Sequence, residues 1–315
     1  MSPEAALSSE VFKIYLGILL GLLAVAGVAI AVLGSILKKD VGHAWKSYRS
    51  WLIMIPLALA CLFLGRLATI AFFMLLAIFA FKEYARATAL YRDGWMTSAV
   101  YFGIFGMGVI SAMRDPLLGV EGWYGMFIAW PVYVIALILL IPILRNQTQG
   151  QLQTIALALL GFIYIGWMFG HIMFLTNSKY AYGYLFYLIF SVELNDVAAY
   201  TFGKALGRHP LRSNISPKKT WEGAMGALAV SVLLPWLLWF SFPHFTARDL
   251  ILSGLIVGIA GQLGDLSMSV IKRDLGIKDM SGLIGGHGGI LDRIDSLIYV
   301  APLFFHMTRY FHDIY

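Results

Sequence analysis

Stretches of about 20 apolar residues follow one another along the whole chain, and they limit its architecture more than any other feature. Each is long enough to cross the ~30 Å hydrocarbon core of a bilayer as a helix. Of the 315 residues, 60% are hydrophobic and 13% are charged, whereas globular proteins carry about 25% charged residues. A soluble enzyme, a disordered chain and a disulfide scaffold are therefore excluded. An outer-membrane barrel would show alternating segments of about 10 residues instead.

The pattern predicts an all-α, polytopic integral membrane protein with about ten transmembrane helices, nine being the alternative count. The predicted spans are 11–37, 51–65, 67–81, 97–113, 123–144, 152–175, 182–203, 222–242, 249–270 and 294–312. The acidic N-terminus differs from the basic start of a signal peptide, so the first span is expected to be retained. Little more than Gly65-Arg66 separates the second and third spans. We predict a hairpin there, because one long span would place Arg66 at its centre, where a charge is costly.

The distribution of Lys and Arg predicts the orientation. If the N-terminus is outside, the cytoplasmic loops are 38–50, 82–96, 145–151, 204–221 and 271–293, and they hold 17 of the 23 basic residues. Such a bias is typical of short cytoplasmic loops. It accounts for the net charge of +6 without a nucleic-acid partner. The single cysteine, Cys61, lies in an apolar span and excludes both an internal disulfide and a cysteine-based metal cluster.

Acidic residues inside a span give the first indication of chemistry. Glu193, Asp196, Tyr200 and Lys204 share one helical stripe of the seventh span. A carboxylate at membrane depth is costly and by default indicates function, although Lys204 or a neighbouring basic residue could neutralise the acids in a purely architectural pair. Because acids, glycines and basic residues concentrate from here onward, we predict two regions, N-terminal transmembrane helices over 1–180 and a C-terminal catalytic region over 181–315.

A basic loop follows this span. It carries Lys218 and Lys219 and has no acid before Glu222. Thr220 stands where a helix N-cap is expected, with Glu222 in the first helical turn. Two interpretations remain open for this loop. It is either an ordinary cytoplasmic loop before a capped helix, or a phosphate site in which the two lysines lie beside a helix N-terminus that favours anions.

Two further segments combine residue types that suit a metal and phosphates. Asp265, Ser269 and Lys272 fall on one helix face, which suits Mg²⁺ because this ion takes one or two carboxylates and otherwise water and substrate phosphate; a helix-end ion pair is the alternative. Residues 282–289 include five glycines, which would let the backbone approach phosphate and present a nest of N–H groups. Asp292 and Asp295 follow on one helix face, where they could hold a metal.

These segments resemble the signature of the CDP-diacylglycerol synthase (phosphatidate cytidylyltransferase) family. The matching residues are Ser269-Val270-Ile271-Lys272-Arg273, Lys278-Asp279 and His287-Gly288-Gly289-Ile290-Leu291-Asp292-Arg293-Ile294-Asp295, with further resemblance in Ser216 to Gly223 and in Asp196 to Tyr200. The detailed resemblance covers about residues 190–300. Family members usually carry a hydroxyl residue at the position of Val197 and proline at that of Gly285. With the extra apolar N-terminal helix, these departures indicate a divergent paralogue.

The resemblance implies a reaction in which CMP passes from CTP to phosphatidate, giving CDP-diacylglycerol and pyrophosphate. It implies Mg²⁺ held by Asp265 and Asp292, with Asp295 as a third ligand or a support, and a second cation such as K⁺ nearby. The expected catalytic residues are Asp265, Asp292, Lys272 and Asp196. The expected phosphate-binding residues are Lys218, Lys219, Ser216, Thr220, Ser269, Arg273, Lys278, Gly286, His287, Gly288, Gly289 and Arg293.

The chemistry of the reactants supports the same reaction. The phosphomonoester of phosphatidate is largely dianionic near pH 7, because its second pKa is about 6, so it can attack the α-phosphorus of CTP without a general base. Catalysis would then consist of positioning and charge neutralisation. The expected partners are CTP, phosphatidate or a related lipid phosphate, and membrane lipids, with a homodimer left open. The expected location is the bacterial cytoplasmic membrane, with the catalytic loops facing the cytoplasm.

Three alternatives stay open from the residues. A CTP-dependent lipid kinase or a cytidylyltransferase for another lipid phosphate would keep the nucleotide site and change the acceptor. An ion-coupled transporter would explain the acids inside the spans, but it does not require the Lys218-Lys219 loop or the glycine-rich segment. A catalytically silent paralogue would act as a scaffold or a lipid-binding partner.

Overall fold

A computed structural model describes residues 1–36, 38, 40–282 and 288–313, the side chain of His43 excepted. Almost all of the described chain is helical, as predicted. The helices are α1 (Pro3–Ser8), α2 (Glu10–Ser35), α3 (Gly42–Leu64), α4 (Arg66–Ala87), α5 (Gly94–Ala112), α6 (Tyr124–Leu144), α7 (Gln151–Gly161), α8 (Phe169–Leu175), α9 (Ala181–Leu206), α10 (Trp221–Leu237), α11 (Ala247–Asp274) and α12 (Leu291–Phe311). Residues Phe162–Met168 join α7 to α8 as a π-helix. Strands β1 (Pro210–Arg212) and β2 (Ser216–Thr220) pair antiparallel between α9 and α10.

Each of the ten predicted spans falls on a helix or, for 152–175, on the continuous helical segment α7–π–α8. Within the described residues, eight of these helical segments are long and apolar enough to cross a membrane. The other two are α10, which has 17 residues, and α12, whose first turns carry charged residues. Helices suit a bilayer because the hydrocarbon core offers no hydrogen-bond partners, so each backbone N–H and C=O group must be paired within the protein. The chain is an integral membrane protein of the all-α class.

The predicted break between the second and third spans is confirmed. Helix α3 ends at Leu64, Gly65 has φ +108°, and α4 begins at Arg66. A positive φ of this kind is readily adopted only by glycine. The guanidinium of Arg66 is paired within the protein, since it lies 2.6 Å from a carboxylate oxygen of Glu121 and donates to Asn177 Oδ1 at 2.8 Å.

Some predicted bounds are wrong. The second span was expected to start at residue 51, but α3 starts at Gly42, so residues 42–50 of the predicted cytoplasmic loop are helical. This part of α3 contacts α2, where the Tyr48 hydroxyl donates to the carbonyl oxygen of Leu23 at 3.1 Å. The eighth span was expected to reach residue 242, but α10 ends at Leu237. Hydropathy locates the apolar part of a helix, whereas capping and packing decide where the helix ends.

The C-terminal helices α9 to α12 pack closely against one another. Helix α9 contacts α10 and α11, and α11 contacts α12. A Cβ on Gly264 of α11 would lie only 2.5 Å from the carbonyl oxygen of Asp295 on α12. Close helix contact through small residues is typical of membrane proteins, because lipid provides no hydrophobic force that drives helices together. This contact brings the backbones that carry Asp265 and Asp295 next to each other.

Candidate active site

A cavity of about 570 Å³ lies where α9, the β-hairpin, α10, α11 and α12 meet. Its volume is within the range of ligand-binding sites, about 300–1,000 Å³. Its lining contains six acidic and five basic side chains, namely Glu193, Asp196, Lys204, Lys218, Lys219, Asp265, Lys272, Asp279, Asp292, Arg293 and Asp295. Basic groups can pair with the anionic oxygens of a phosphate, and carboxylates can pair with a cation. The cavity therefore suits a polyanion that binds together with a cation.

Helix α9 presents the predicted stripe to this cavity. Glu193, Asp196, Tyr200 and Lys204 all line it, and the side chain of Asp196 is exposed there. The Lys204 ammonium lies 5.8 Å from the centre of the Tyr200 ring. Lys204 forms no ion pair within 4 Å of either acid in the described part of the chain. A direct Lys204 ion pair therefore does not account for these two acids.

The β-hairpin places two lysines in the lining of the cavity. Thr220 caps α10 as predicted, because its Oγ1 accepts a hydrogen bond from Gly223 N at 3.1 Å. The Glu222 carboxylate closes the loop, since it contacts His209 Nδ1 at 2.6 Å and accepts from the backbone N–H of Arg208 at 3.1 Å. Lys218 and Lys219 stand on β2, directly before this cap. The hairpin and cap thus hold the two lysines at a helix N-terminus, where anions are favoured.

Asp265 and its neighbours confirm the predicted face of α11. The Lys219 Nζ lies 2.5 Å from Asp265 Oδ2, and Ser269 Oγ donates to Asp265 Oδ1 at 3.2 Å. Lys272 lines the cavity one turn further along the same helix. The hairpin and α11 are therefore joined by an ion pair inside the cavity, which spacing along the sequence could not reveal.

Asp292 is held by three hydrogen-bond donors. Lys272 Nζ donates to Asp292 Oδ1 at 2.8 Å, and the backbone N–H groups of Met280 and Gly289 both donate to Asp292 Oδ2 at 2.9 Å. The Asp292 side chain is only 6% exposed. Three donors on two oxygens fix the orientation of this carboxylate toward Lys272.

The π-helix supports the cavity from the other side. The Tyr164 hydroxyl lies within hydrogen-bond distance of the carbonyl oxygens of Gly264, at 3.3 Å, and Asp295, at 3.4 Å. It reaches both helices at the point where α11 and α12 approach most closely. π-Helices are frequent at functional sites. Tyr164 belongs to the region 1–180, so the catalytic region predicted for 181–315 is supported by side chains from outside it, while the division itself stays a prediction.

Comparison with known proteins identifies the chain. Residues 45–311 match the model of the Cytidylyltransferase family. The chain belongs to this family. The family expected from the residues is thereby confirmed, and α1 and α2 lie before the matched residues.

The relatives of this cytidylyltransferase match between 50% and 80% of its length. It is 32% identical over 255 residues to the phosphatidate cytidylyltransferase of Staphylococcus haemolyticus, covering 80% of this chain and 94% of that protein. It is 39% identical over 160 residues to the phosphatidate cytidylyltransferase of Staphylococcus aureus, covering 50% and 60%. It is 32% identical over 250 residues to the uncharacterized protein YnbB of Escherichia coli, covering 78% and 80%.

Some residues expected to bind phosphate in this cytidylyltransferase do not line the cavity. Ser216 begins β2, Ser269 bonds to Asp265, and Lys278 is exposed outside the lining. The exposed Arg273 donates from Nε to the carbonyl oxygen of Ile215 at 3.3 Å, so it ties α11 to the hairpin. Gly286 and His287 lie outside the described residues. The phosphate-binding role of all of these, and of Gly288 and Gly289, stays a prediction.

Three residues close to the site were missed by the sequence analysis. Asp279 and Gln262 line the cavity, and Glu83 of α4 contacts the start of α12. Asp279 stands within the family signature, so its position could have been noticed. Gln262 is a polar residue inside a span, which is a recognisable signal. Glu83 gave none, because an acid beside Lys82 at the end of a span is typical of a solvated loop.

Mg²⁺ is the cation expected at this cavity. Among the described residues, no three His, Cys, Asp or Glu side chains are grouped so that they could hold one metal ion. Asp265 and Asp292 nevertheless face the same cavity, and each contacts the cationic ammonium of a lysine. Two carboxylates are sufficient for Mg²⁺, which takes its other ligands from water and substrate phosphate. The residues therefore fit this cation, and its binding stays a prediction.

Proposed function

We propose that this protein is a phosphatidate cytidylyltransferase that transfers CMP from CTP to phosphatidate. The observation that carries the proposal is the cavity at the end of the membrane helices, where Lys219 pairs with Asp265 and Lys272 with Asp292. Lysines and carboxylates in alternation match a nucleoside triphosphate bound with a divalent cation. The two Staphylococcus relatives named as phosphatidate cytidylyltransferases support phosphatidate as the acceptor.

The reaction needs no side chain that removes a proton. A dianionic phosphate oxygen of phosphatidate attacks the α-phosphorus of CTP, a new P–O bond forms, and the bond to the β-phosphate oxygen breaks. Pyrophosphate leaves with the electron pair of that bond. The protein contributes by placing the two reactants in line and by balancing charge on their phosphates.

The basic residues of the cavity balance that charge. Lys218 and Lys219 stand at the N-terminus of α10 and would contact the phosphates of CTP. Lys272 and Arg293 line the wall formed by α11 and α12 and would take up charge on the pyrophosphate. Each lysine would exchange its present carboxylate partner for a phosphate oxygen when the nucleotide binds.

The carboxylates would hold the cation and line the lipid path. Asp265 and Asp292, supported by Asp295, would hold Mg²⁺, and a second cation such as K⁺ would bind nearby. Mg²⁺ supplies neutralisation of triphosphate charge when bound. Asp196 lies on the α9 wall of the cavity, where it would line the lateral entry of the lipid headgroup.

The orientation follows from the substrates and the charge bias. Part of the cavity lining comes from residues of the loops 204–221 and 271–293, which belong to the strongly basic set expected on the cytoplasmic side. CTP is found on that side. We therefore place the protein in the bacterial cytoplasmic membrane with the cavity facing the cytoplasm and the N-terminus outside.

Two labelled nucleotides test the proposal. Detergent-solubilised protein is incubated with Mg²⁺, phosphatidate and CTP labelled at either the α- or the γ-phosphate. We expect labelled lipid from the α-label alone, and none from Asp292→Asn. Label transferred from the γ-phosphate would instead identify a CTP-dependent kinase. A parallel incubation replaces phosphatidate with a polyprenyl phosphate. If the polyprenyl phosphate is labelled and phosphatidate is not, phosphatidate is not the acceptor.

A matched control is available in Asp115, a buried carboxylate outside the cavity. Its Oδ1 accepts from the backbone N–H groups of Leu117 at 2.9 Å and Leu118 at 3.0 Å, and the side chain is 7% exposed. Asp115→Asn keeps this oxygen as an acceptor. We expect it to retain activity, so a loss specific to Asp292→Asn would locate the chemistry in the cavity.

A further inference from the structure

Glu83 is a buried carboxylate in the N-terminal half of the chain. It lies near the end of α4, 6% exposed, and is not among the residues that line the cavity. Its Oε1 accepts from Ser281 Oγ at 2.6 Å and from Ile290 N at 3.0 Å, and its Oε2 accepts from Leu291 N at 2.9 Å. Both carboxylate oxygens are thus used to hold residues just before and at the start of α12.

The start of α12 depends on this carboxylate. The first N–H groups of a helix have no partner within the helix, and Ile290 at the N-cap position supplies no side-chain acceptor. Glu83, which belongs to α4, supplies the missing acceptor for the start of α12. Its negative charge also interacts favourably with the positive end of the α12 dipole. A Cβ on Gly289 would collide with the Glu83 carboxylate, so glycine at this position makes room for it.

Glu83 and Asp292 hold adjacent residues of the same two segments. Asp292 accepts from the N–H groups of Met280 and Gly289, while Glu83 accepts from Ser281 and Ile290, the next residue in each case. The segments on either side of the glycine-rich stretch are therefore fastened twice. Asp292 fastens them on the cavity side, and Glu83 fastens them in the protein interior.

We propose that Glu83 is a positioning residue of the active site, which fixes the start of α12 and so aims Asp292 at Lys272 and the cavity. It touches neither substrate, and its effect passes through the backbone of residues 289–291. The kinetic part of its test rests on the proposed function. Supports of this kind behind cation-binding side chains typically change cation affinity or activity by about 10–100-fold when removed.

Glu83→Gln is the sharpest variant. The carboxamide can place its one oxygen on Ser281 and Ile290, but its NH₂ group then faces the N–H of Leu291. With the amide flipped, the NH₂ group faces the N–H of Ile290 instead. We expect the Mg²⁺ concentration for half-maximal CMP transfer to rise about 10-fold. A purely structural role would lower the active fraction and leave this half-saturation unchanged. Asp115→Asn is the matched control and should change neither quantity.

Hydrogen–deuterium exchange provides a readout that needs no catalysis. In Glu83→Gln, amides of the peptide covering 288–296 should exchange at least about 10-fold faster than in the wild type, with other peptides unchanged. This result would support the proposal even if the wild type failed to use phosphatidate. The proposal is overturned if exchange in this peptide stays within twofold of the wild-type value, or if the protein transfers CMP and its Mg²⁺ half-saturation stays within twofold.

Ser281→Ala keeps the proposal testable if Glu83→Gln does not fold. This variant removes the hydroxyl that donates to Glu83, and the carboxylate still accepts hydrogen bonds from the backbone N–H groups of Ile290 and Leu291. We expect a rise of about threefold in the Mg²⁺ half-saturation. Where Glu83→Gln does fold, the double variant should show an effect smaller than the product of the two, because the residues share one contact. The proposal is contradicted if Ser281→Ala leaves the Mg²⁺ half-saturation unchanged. It is also contradicted if the double variant shows the full product of the two single effects.

Discussion

Lys272 and Asp292 form an ion pair between α11 and α12, with Nζ 2.8 Å from Oδ1, and the two side chains are only 12% and 6% exposed. Breaking a buried ion pair by removing one partner is strongly destabilising, by about 3–5 kcal/mol, because the other charge is left without compensation. Pairs replaced on both sides by apolar groups often recover that stability. The pair therefore allows the structural and the catalytic role of Asp292 to be separated.

We predict that Asp292→Ala lowers both the melting temperature and the activity, because it leaves the buried ammonium of Lys272 without its carboxylate partner. The double variant Asp292→Ala with Lys272→Met should regain only the part of the melting temperature that the unpaired ammonium costs, because the N–H groups of Met280 and Gly289 still lack their acceptor, and it should regain none of the activity. Thermal unfolding in detergent and the α-labelled CTP assay measure the two effects. Recovery of CMP transfer in the double variant would mean that Asp292 only neutralises Lys272.

The two lysines of the hairpin should differ in their effect on nucleotide binding. Lys219 contacts Asp265 and is 23% exposed on its side chain, whereas Lys218 is exposed. A hydrogen bond to a charged group contributes roughly 1.5–3 kcal/mol, so Lys219→Met should weaken CTP binding by about 10–150-fold. Lys218→Met should weaken it less, because its charge is screened by water. Equilibrium binding of CTP measures both, and equal losses would contradict the assignment.

The cap of α10 gives a prediction about stability. Thr220→Ala removes the acceptor for Gly223 N and should cost about 1 kcal/mol of the free energy of unfolding. Thr220→Ser keeps the hydroxyl and is the matched control. Thermal unfolding compares the three proteins, and an unchanged midpoint in Thr220→Ala would show that the hairpin, and not the cap, holds the start of α10.

The fold could be predicted from sequence because a bilayer leaves few choices. Apolar stretches of this length must form helices, and Gly65-Arg66 marked the break between α3 and α4. The ends of the helices were harder to predict from the sequence. Residues 42–50 are polar enough to be mistaken for a loop, and only their contacts with α2, such as that of Tyr48, indicate that α3 begins there.

The site was predictable where its residues share one helix. Asp265, Ser269 and Lys272 follow helical spacing, and so do Asp292 and Asp295. The pairs that organise the cavity join different elements, as Lys219 does with Asp265, and no periodicity along the chain encodes them. Glu83 is the extreme case, because its partners lie about 200 residues further along the chain.

The last prediction concerns pH and a histidine outside the spans, between α10 and α11. The His244 ring stacks on Tyr180, with centroids 3.6 Å apart, and its Nε2 lies 2.7 Å from the hydroxyl oxygen of Tyr184. Burial, helped by the nearby charges of His312 and Lys179 and opposed by Asp249, lowers the pKa of His244 to about 4.

A lowered pKa sets the direction of the pH effect. In the unfolded chain His244 takes up a proton near pH 6.5, while the folded protein resists it until about pH 4. The unfolded state thus binds more protons in this window, so stability should fall as the pH is lowered from about 6.5 to 4. His244→Gln should therefore flatten the dependence of the melting temperature on pH over this range. An equally steep decline in His244→Gln would assign the acid sensitivity to another group.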